Sequence, residues 1–239
     1  IIETELLIKD LEIAEKKLEK IDRIAKTGNK EALKEQSILN LIIDNLKKYN
    51  PVRCLKFNEE DSLFVNSIQF LSNKPVLYVC NVDEKSLADG NSHVKKFKDS
   101  LENEDLDVIT LAVATEAEIN ELESYDDRMV FLEDIGLSEP GSSKLIKKAY
   151  EMLNLQTFFT AGKKEVKAWT IQKGNTASQA AGVIHSDFEK GFIKAEVISY
   201  ENFISFKSEI KVREAGKLKI EGKDYVVKDG DIMHFRFNV

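Results

Sequence analysis

Two short apolar runs, VLYVC at residues 76–80 and VITLAVA at 108–114, constrain the fold of this chain more than any other feature. Neither alternates polar with apolar positions, so a strand made from either needs cover on both faces. Amphipathic stretches surround them, at residues 59–71 (with Leu63, Ser67, Phe70 and Leu71 near one face), 93–101, 116–122, 126–135 and 142–153. Apolar strands alternating with such helices specify an α/β layer, a parallel sheet with helices on both sides. Ligands of these sheets sit at the C-terminal ends of the strands. The first run ends in Asn81-Val82-Asp83-Glu84, which sets an amide and a carboxylate at such an end.

The flanking regions have different rhythms. Leu7, Leu11, Ala14, Leu18, Ile21 and Ala25 recur at spacings of four and three, with Glu and Lys between them. This is a heptad seam. Thr27-Gly28-Asn29 breaks it, and a second run follows with Leu39, Ile42, Leu46 and Tyr49 on one face before Asn50-Pro51. Two helices joined by a short turn predict an antiparallel coiled-coil hairpin, either an arm that docks a partner or an element packed on the body. From Leu155 onward short strands dominate, at residues 156–160, 166–170, 192–199, 217–221 and 232–237, with one helix at 176–182. Gly222-Lys223 and Asp229-Gly230 are turn signals between them. A small mixed sheet crossed by one helix is the β-grasp pattern. The expected organisation is a helical hairpin over 1–51, an α/β unit over 52–154 and a β-grasp unit over 155–239.

Composition excludes several classes. Hydrophobic residues make up 42%, enough for a real core, and 3 prolines and 11 glycines are too few for a low-complexity chain. The apolar runs fall far short of the roughly 18 residues of a membrane helix, and the N-terminus lacks the basic region of a signal peptide. A cytoplasmic monomer away from membranes is expected. Cys54 and Cys80 have no metal or disulfide spacing, and His93, His185 and His234 are far apart with no cysteine to join them. Cys80 reads as a small buried hydrophobe. The net charge of -7 argues against a general DNA binder, yet residues 155–239 carry 14 Lys+Arg against 11 Asp+Glu. A mildly basic C-terminal unit on an acidic body is either an RNA-facing module or ordinary scatter.

Within that unit, His185-Ser186-Asp187-Phe188-Glu189 lies near Lys190, Phe192 and Lys194. It reads as an RNA contact with Phe192 stacking on a base, or as a turn capped by His185, the latter being preferred. Alternation puts Lys167, Trp169 and Ile171 on one strand face, with Trp169 read as core. The acidic run at residues 116–123 reads as a solvated helix face.

The Asn81-x-x-Glu84 spacing has two readings. Asn and Glu after a strand are ordinary turn and cap residues. GTP-binding P-loop proteins, however, carry Asn-Lys-x-Asp after a buried strand, where the amide meets the purine and ties adjacent loops. The Lys stem covers the ring, and the Asp carboxylate accepts from the guanine N1–H and amine. Val82 can cover a ring as a Lys stem does. Glu84 is one methylene longer than Asp and would leave the guanine donor edge, which predicts lost guanine selectivity and tolerance of adenine. After the second apolar run, Ala112-Val113-Ala114 stands where GTPases support the base through a backbone N–H.

Longer stretches carry a more specific signal. TELLIKDLEIAEKKLEKI (residues 4–21), SIQFLSNKPVLYVCNVDE (67–84), FFTAGKKEVKAWTIQKGNTASQAAGVIHSDFEKGFIKAEVISYENF (158–203) and VREAGKLKIEGKDYVVKDGDIMHFRFNV (212–239) are distributed from near one end of the chain to the other. Together they resemble the YchF family, the Obg-like ATPases. The resemblance implies part of a P-loop NTPase sheet with an inserted helical hairpin, followed by a β-grasp TGS domain. It implies hydrolysis of ATP in preference to GTP, Mg²⁺ as cofactor, and a ribosome or other RNA partner met through the hairpin and the TGS domain. Asn81, Val82 and Glu84 would then contact the base.

The sequence departs from that family at the phosphates. G-x-x-x-x-G-K-[ST] places backbone N–H groups and a Lys on the phosphates and a hydroxyl on Mg²⁺. In these 239 residues the nearest match, Gly136 to Gly141, continues Ser142-Ser143 without a Lys, and there is no Asp-x-x-Gly. The expectation is a C-terminal portion of a longer ATPase that keeps base recognition, forms an incomplete sheet over 52–153 and hydrolyses nothing alone. Mg²⁺ would enter only with the N-terminal half. The alternative is a non-catalytic RNA- or ribosome-binding module.

Overall fold

The first helix follows from the heptad seam. In the computed structural model, which describes residues 1–87, 89–101, 106–162 and 165–238, α1 (Ile2–Ala25) and α2 (Lys30–Lys47) pack as an antiparallel hairpin. Gln36 Nε2 donates to Asp22 Oδ1 at 2.8 Å, and Lys47 reaches Glu15 at 3.4 Å. Leu7, Ala14, Ile21 and Ala25 are buried against Leu39, Ile42 and Leu46. The Asn29 side chain accepts the Ala32 N–H and satisfies one of the free donors at the start of α2. Tyr49, expected on the seam, is exposed: α2 has ended and Tyr49 has a φ of 62°, turned away from the packed face.

The described residues sort into two compact units, residues 1–80 with 94–109, and residues 81–93 with 110–239. In the first unit, α3 (Glu59–Ile68) is capped by Asn58. It buries Val65 and leaves Leu63 exposed, so its inner face is offset from the one expected through Leu63 and Ser67. Gln69 ends the helix in the left-handed region, and a 3₁₀ turn, Leu71–Asn73, follows. That turn receives Asp10, which has no exposed surface and whose carboxylate accepts the N–H groups of Leu71 at 2.8 Å and Ser72 at 2.7 Å. Ser72 Oγ in turn accepts the Val52 N–H at 3.1 Å. Asp10 thus links the hairpin to the chain that follows it, at a position that the seam pattern assigns to a polar surface.

Next come β1 (Leu77–Asn81), α4 (Ser92–Ser100) and β2 (Asp107–Leu111). Tyr78 meets Phe97 edge-on at 5.0 Å, which fastens α4 to β1. The two strands pair with each other as a two-stranded sheet. The full burial expected of them is absent: Val79 is 42% exposed, because two strands and the described helices do not cover both faces.

The second unit continues with α5 (Val113–Glu121), α6 (Tyr125–Asp134) and α7 (Gly141–Met152). The chain then forms β3 (Leu155–Ala161), β4 (Val166–Gln172), α8 (Ala177–Ile184), α9 (Ser186–Lys190), β5 (Phe192–Ile198), α10 (Tyr200–Phe206), α11 (Glu209–Glu214), β6 (Lys219–Glu221) and β7 (Ile232–Phe237). Four helices therefore stand where one was expected, since α9, α10 and α11 are too short to show a period of 3.6 residues. The five strands order as β4-β3-β7-β5-β6. All described pairings are antiparallel except β3 with β7, which meet in parallel at Phe159 and Ile232. On one face α8, started by a Thr176/Gln179 capping box, covers Phe158, Ala195, Val197 and Met233. On the other, Val212 packs with Ile198 and Ile232 beside Phe203 and Phe206. The whole is a mixed α/β fold, with most of its sheet in the last third of the chain.

Candidate functional site

The end of β1 and the start of α5 meet through Asn81. Its Oδ1 accepts the Val113 N–H at 3.1 Å, while the Val82 N–H donates to the Leu111 carbonyl at 2.9 Å. Val113 opens α5, and Ala112 before it has no side-chain acceptor. A helix start leaves free N–H groups, and Asn81 supplies from a neighbouring strand the acceptor that Ala112 lacks. This fixes the amide: with Oδ1 facing an N–H, the NH₂ group faces away and keeps its two donors. Of the Ala112–Ala114 backbone donors expected to support a base, the Val113 N–H is thereby already engaged.

The two acids that follow separate in role. Asp83 caps the 3₁₀ turn Glu84–Ser86 by accepting the Ser86 N–H at 3.0 Å. Glu84 is exposed and makes no side-chain hydrogen bond or ion pair among the described residues. Val82 is half-buried between them. The turn-and-cap reading therefore applies to Asp83, and it leaves the Asn81 NH₂ group and the Glu84 carboxylate as unspent polar groups. Together they offer a donor pair and an anionic acceptor beside an apolar side chain.

A second device seats the same region. Glu116 on α5 is half-buried, and its two carboxylate oxygens accept the N–H groups of Gly141 at 2.6 Å and Ser142 at 3.0 Å, at the start of α7. A Cβ at Gly141 would lie 2.2 Å from Leu111 Cδ1 and 3.0 Å from Glu116 Oε1, so any larger residue there requires the Leu111 side chain to shift. Glu116 is thus not on a solvated face as the acidic run suggested. The sequence does hold a signal for it: the cap position before α7 is Pro140, which has no side-chain acceptor, so a cap must come from elsewhere. The Gly141 N–H, the end of the nearest glycine-spaced segment, is spent on a carboxylate.

Elsewhere the candidates resolve simply. His185 Nδ1 accepts the Asp187 N–H at 3.2 Å, which is the capping role. Phe192 packs edge-on to Phe235 at 6.2 Å and is part of the core, not a free stacking surface. Trp169 faces the core side but is only partly buried. Cys80 is half-buried and Cys54 exposed. Among the described residues, no three His, Cys, Asp or Glu side chains converge as metal ligands, and no helix is long and apolar enough to cross a membrane.

This arrangement, strands alternating with helices and a terminal mixed sheet, defines the class. A GTP-binding protein from Pyrococcus horikoshii OT3 shares the fold, with a TM-score of 0.58 at 20% identity over 99% of this chain and 70% of that one. A family model named YchF-GTPase_C, described as a protein of unknown function (DUF933), matches residues 155–238. The Schizosaccharomyces pombe YchF GTPase superposes with a TM-score of 0.87 at 34% identity, covering 99% of this chain and 64% of that one. Proteins called ribosome-binding ATPase YchF from Haemophilus ducreyi and Bacillus subtilis are 46% and 43% identical across the whole of this chain. Along its whole length the chain is similar to proteins of the YchF family. It spans 65% of the length of these curated relatives.

Proposed function

We propose that this chain is the base-contacting and partner-facing portion of a ribosome-associated nucleoside-triphosphate hydrolase of the YchF family, with ATP used in preference to GTP. The observation that carries the proposal is the Asn81 Oδ1 to Val113 N–H bond of 3.1 Å. It is the loop-tying contact that a base-reading Asn makes, and it aims the remaining amide donors away from the protein. In this reading the Asn81 NH₂ group meets an acceptor of the purine ring and Val82 packs on the ring face. Glu84, longer than the Asp of guanine readers, no longer matches the guanine donor edge. The 52–154 segment is then the C-terminal part of a P-loop domain and 155–239 a TGS domain of β-grasp type. Residues 1–51 are the inserted coiled-coil arm. Phosphate binding and Mg²⁺ belong to a portion outside these 239 residues, so the chain alone hydrolyses no ATP. The protein acts as a monomer in the cytoplasm, and the arm and TGS domain meet the ribosome or its RNA.

The test is nucleotide specificity. Isothermal titration of full-length protein carrying this segment is expected to give tighter ATP than GTP binding, with Glu84→Asp recovering GTP affinity by about tenfold, the effect of one good carboxylate–guanine hydrogen-bond pair. A Glu84→Asp protein with unchanged GTP affinity removes the base-reading role of Glu84. The alternative, a non-catalytic module, rests on the same arm and C-terminal sheet. It is favoured if ribosome cosedimentation persists when nucleotide binding is lost.

A further inference from the structure

The C-terminal sheet holds a cavity of about 600 Å³ that the nucleotide reading leaves unused. It opens where β3 and β7 part after their single described pair, Phe159 with Ile232. Its walls include Trp169, Phe188 and Phe235, with Lys167 and Glu165 also on the lining. The Trp169 indole N–H donates to Thr160 Oγ1 at 2.9 Å, which locks the ring in place. The Lys167 ammonium lies 3.9 Å from the Trp169 ring centroid, so the ring already works as a cation-binding platform. Glu165 is the only acid on the described lining, against Lys167 and Arg236. Arg236, 3.4 Å from Glu196, stands 61% exposed at the same cavity.

We infer that this cavity takes one unpaired purine base of an RNA strand, stacked on Trp169, with its adjoining phosphates held by Lys167 and Arg236. The inference rests on the reading that the C-terminal sheet faces RNA, and it names the place. A fixed aromatic ring beside exposed cations is what a single-stranded nucleic acid requires: every base offers a π-face, and every linkage an anion. The Lys167 ammonium exchanges the indole face for a phosphate as the base slides in. The cavity lies within the 300–1,000 Å³ range of small-ligand sites, ample for one base.

Trp169 is the only tryptophan in the chain, so its emission reports on this cavity alone. The 239-residue chain is titrated with an oligoadenylate hexamer, an abasic hexamer of equal length and AMP, following both Trp169 emission and the anisotropy of end-labelled hexamer. Saturable quenching by oligoadenylate, none by the abasic strand and at least tenfold weaker binding of AMP are expected. Trp169→Ala should weaken hexamer binding by about five- to a hundredfold, with Trp169→Tyr restoring most of it. Lys167→Gln, at an exposed strand position that leaves the fold intact, should reduce the salt slope by about 0.7. Hexamer binding by anisotropy with unchanged Trp169 emission overturns the cavity while leaving the RNA reading standing. No hexamer binding by either readout overturns both. AMP binding as tight as the hexamer assigns the cavity to free nucleotides and overturns the RNA occupant.

Discussion

Replacing Glu116 with Gln tests how the region around Asn81 is held. The carboxylate accepts two backbone N–H groups at the start of α7, those of Gly141 and Ser142. An amide of the same shape keeps one acceptor and turns its NH₂ toward the other N–H, so one charge-assisted bond becomes a donor–donor contact. Such a bond is worth about 1.5–3 kcal/mol, and removing a negative charge from a helix N-terminus costs a further ~0.3–1 kcal/mol. Because Glu116 is only half-buried, the lower part of the range applies, about 2 kcal/mol. For a chain of this size that lowers the melting temperature by about 4–8 °C. Circular dichroism melting of the chain and of Glu116→Gln measures it. Glu118→Gln, exposed on the same helix, is the control and should shift by no more than ~0.5 kcal/mol. Gly141→Ala adds a check from the other side, since its Cβ would overlap Leu111 Cδ1 at 2.2 Å; overpacking of this kind costs about 1–3 kcal/mol. Equal melting of wild type and Glu116→Gln, within 1 °C or so of the control, would refute the account of Glu116 as the cap of α7.

Two further perturbations probe other parts of the chain. Asp10→Ala orphans the Leu71 and Ser72 N–H groups in a fully buried place. At about 1–3 kcal/mol for each lost partner, urea unfolding followed by helix signal should show a loss of several kcal/mol, and a wild-type midpoint would refute the linking role. The Tyr225 phenol is raised above its ordinary value, first by burial and then by its hydrogen bond to Asp231. A raised acid holds its proton more tightly folded than unfolded, so its contribution is complete below about pH 10 and declines as pH climbs above that. Tyr225→Phe should flatten the alkaline loss of stability, and parallel alkaline curves for the two proteins would exclude Tyr225 as its source.

Local pattern made much of the architecture readable. The α1–α2 seam from Leu7 to Ala25 and the strands at 166–172 and 232–237 follow from period and turn residues that act within a few positions of themselves. Three errors share one cause. Leu63 reads as inward, Tyr49 as part of the seam and Glu116 as solvated with the rest of its acidic run; in each, the deciding contact comes from elsewhere in the chain or from a helix end that periodicity does not mark. Asp10 shows the same limit, since a carboxylate among Glu and Lys looks solvated until two N–H groups sixty residues on require an acceptor.

The candidate site divides along the same line. The types and order of Asn81, Val82 and Glu84 are a property of the sequence, and so is the extra methylene of Glu84 on which the proposed purine preference rests, because side-chain length is local. Which of the two acids is spent was decided only by the fold: Asp83 caps the turn and Glu84 is left free. That Asn81 holds the first N–H of α5 was likewise invisible, for that donor lies 32 residues away. Hydrogen bonds are satisfied by whatever the packed chain brings within about 3 Å, and sequence distance has no part in that.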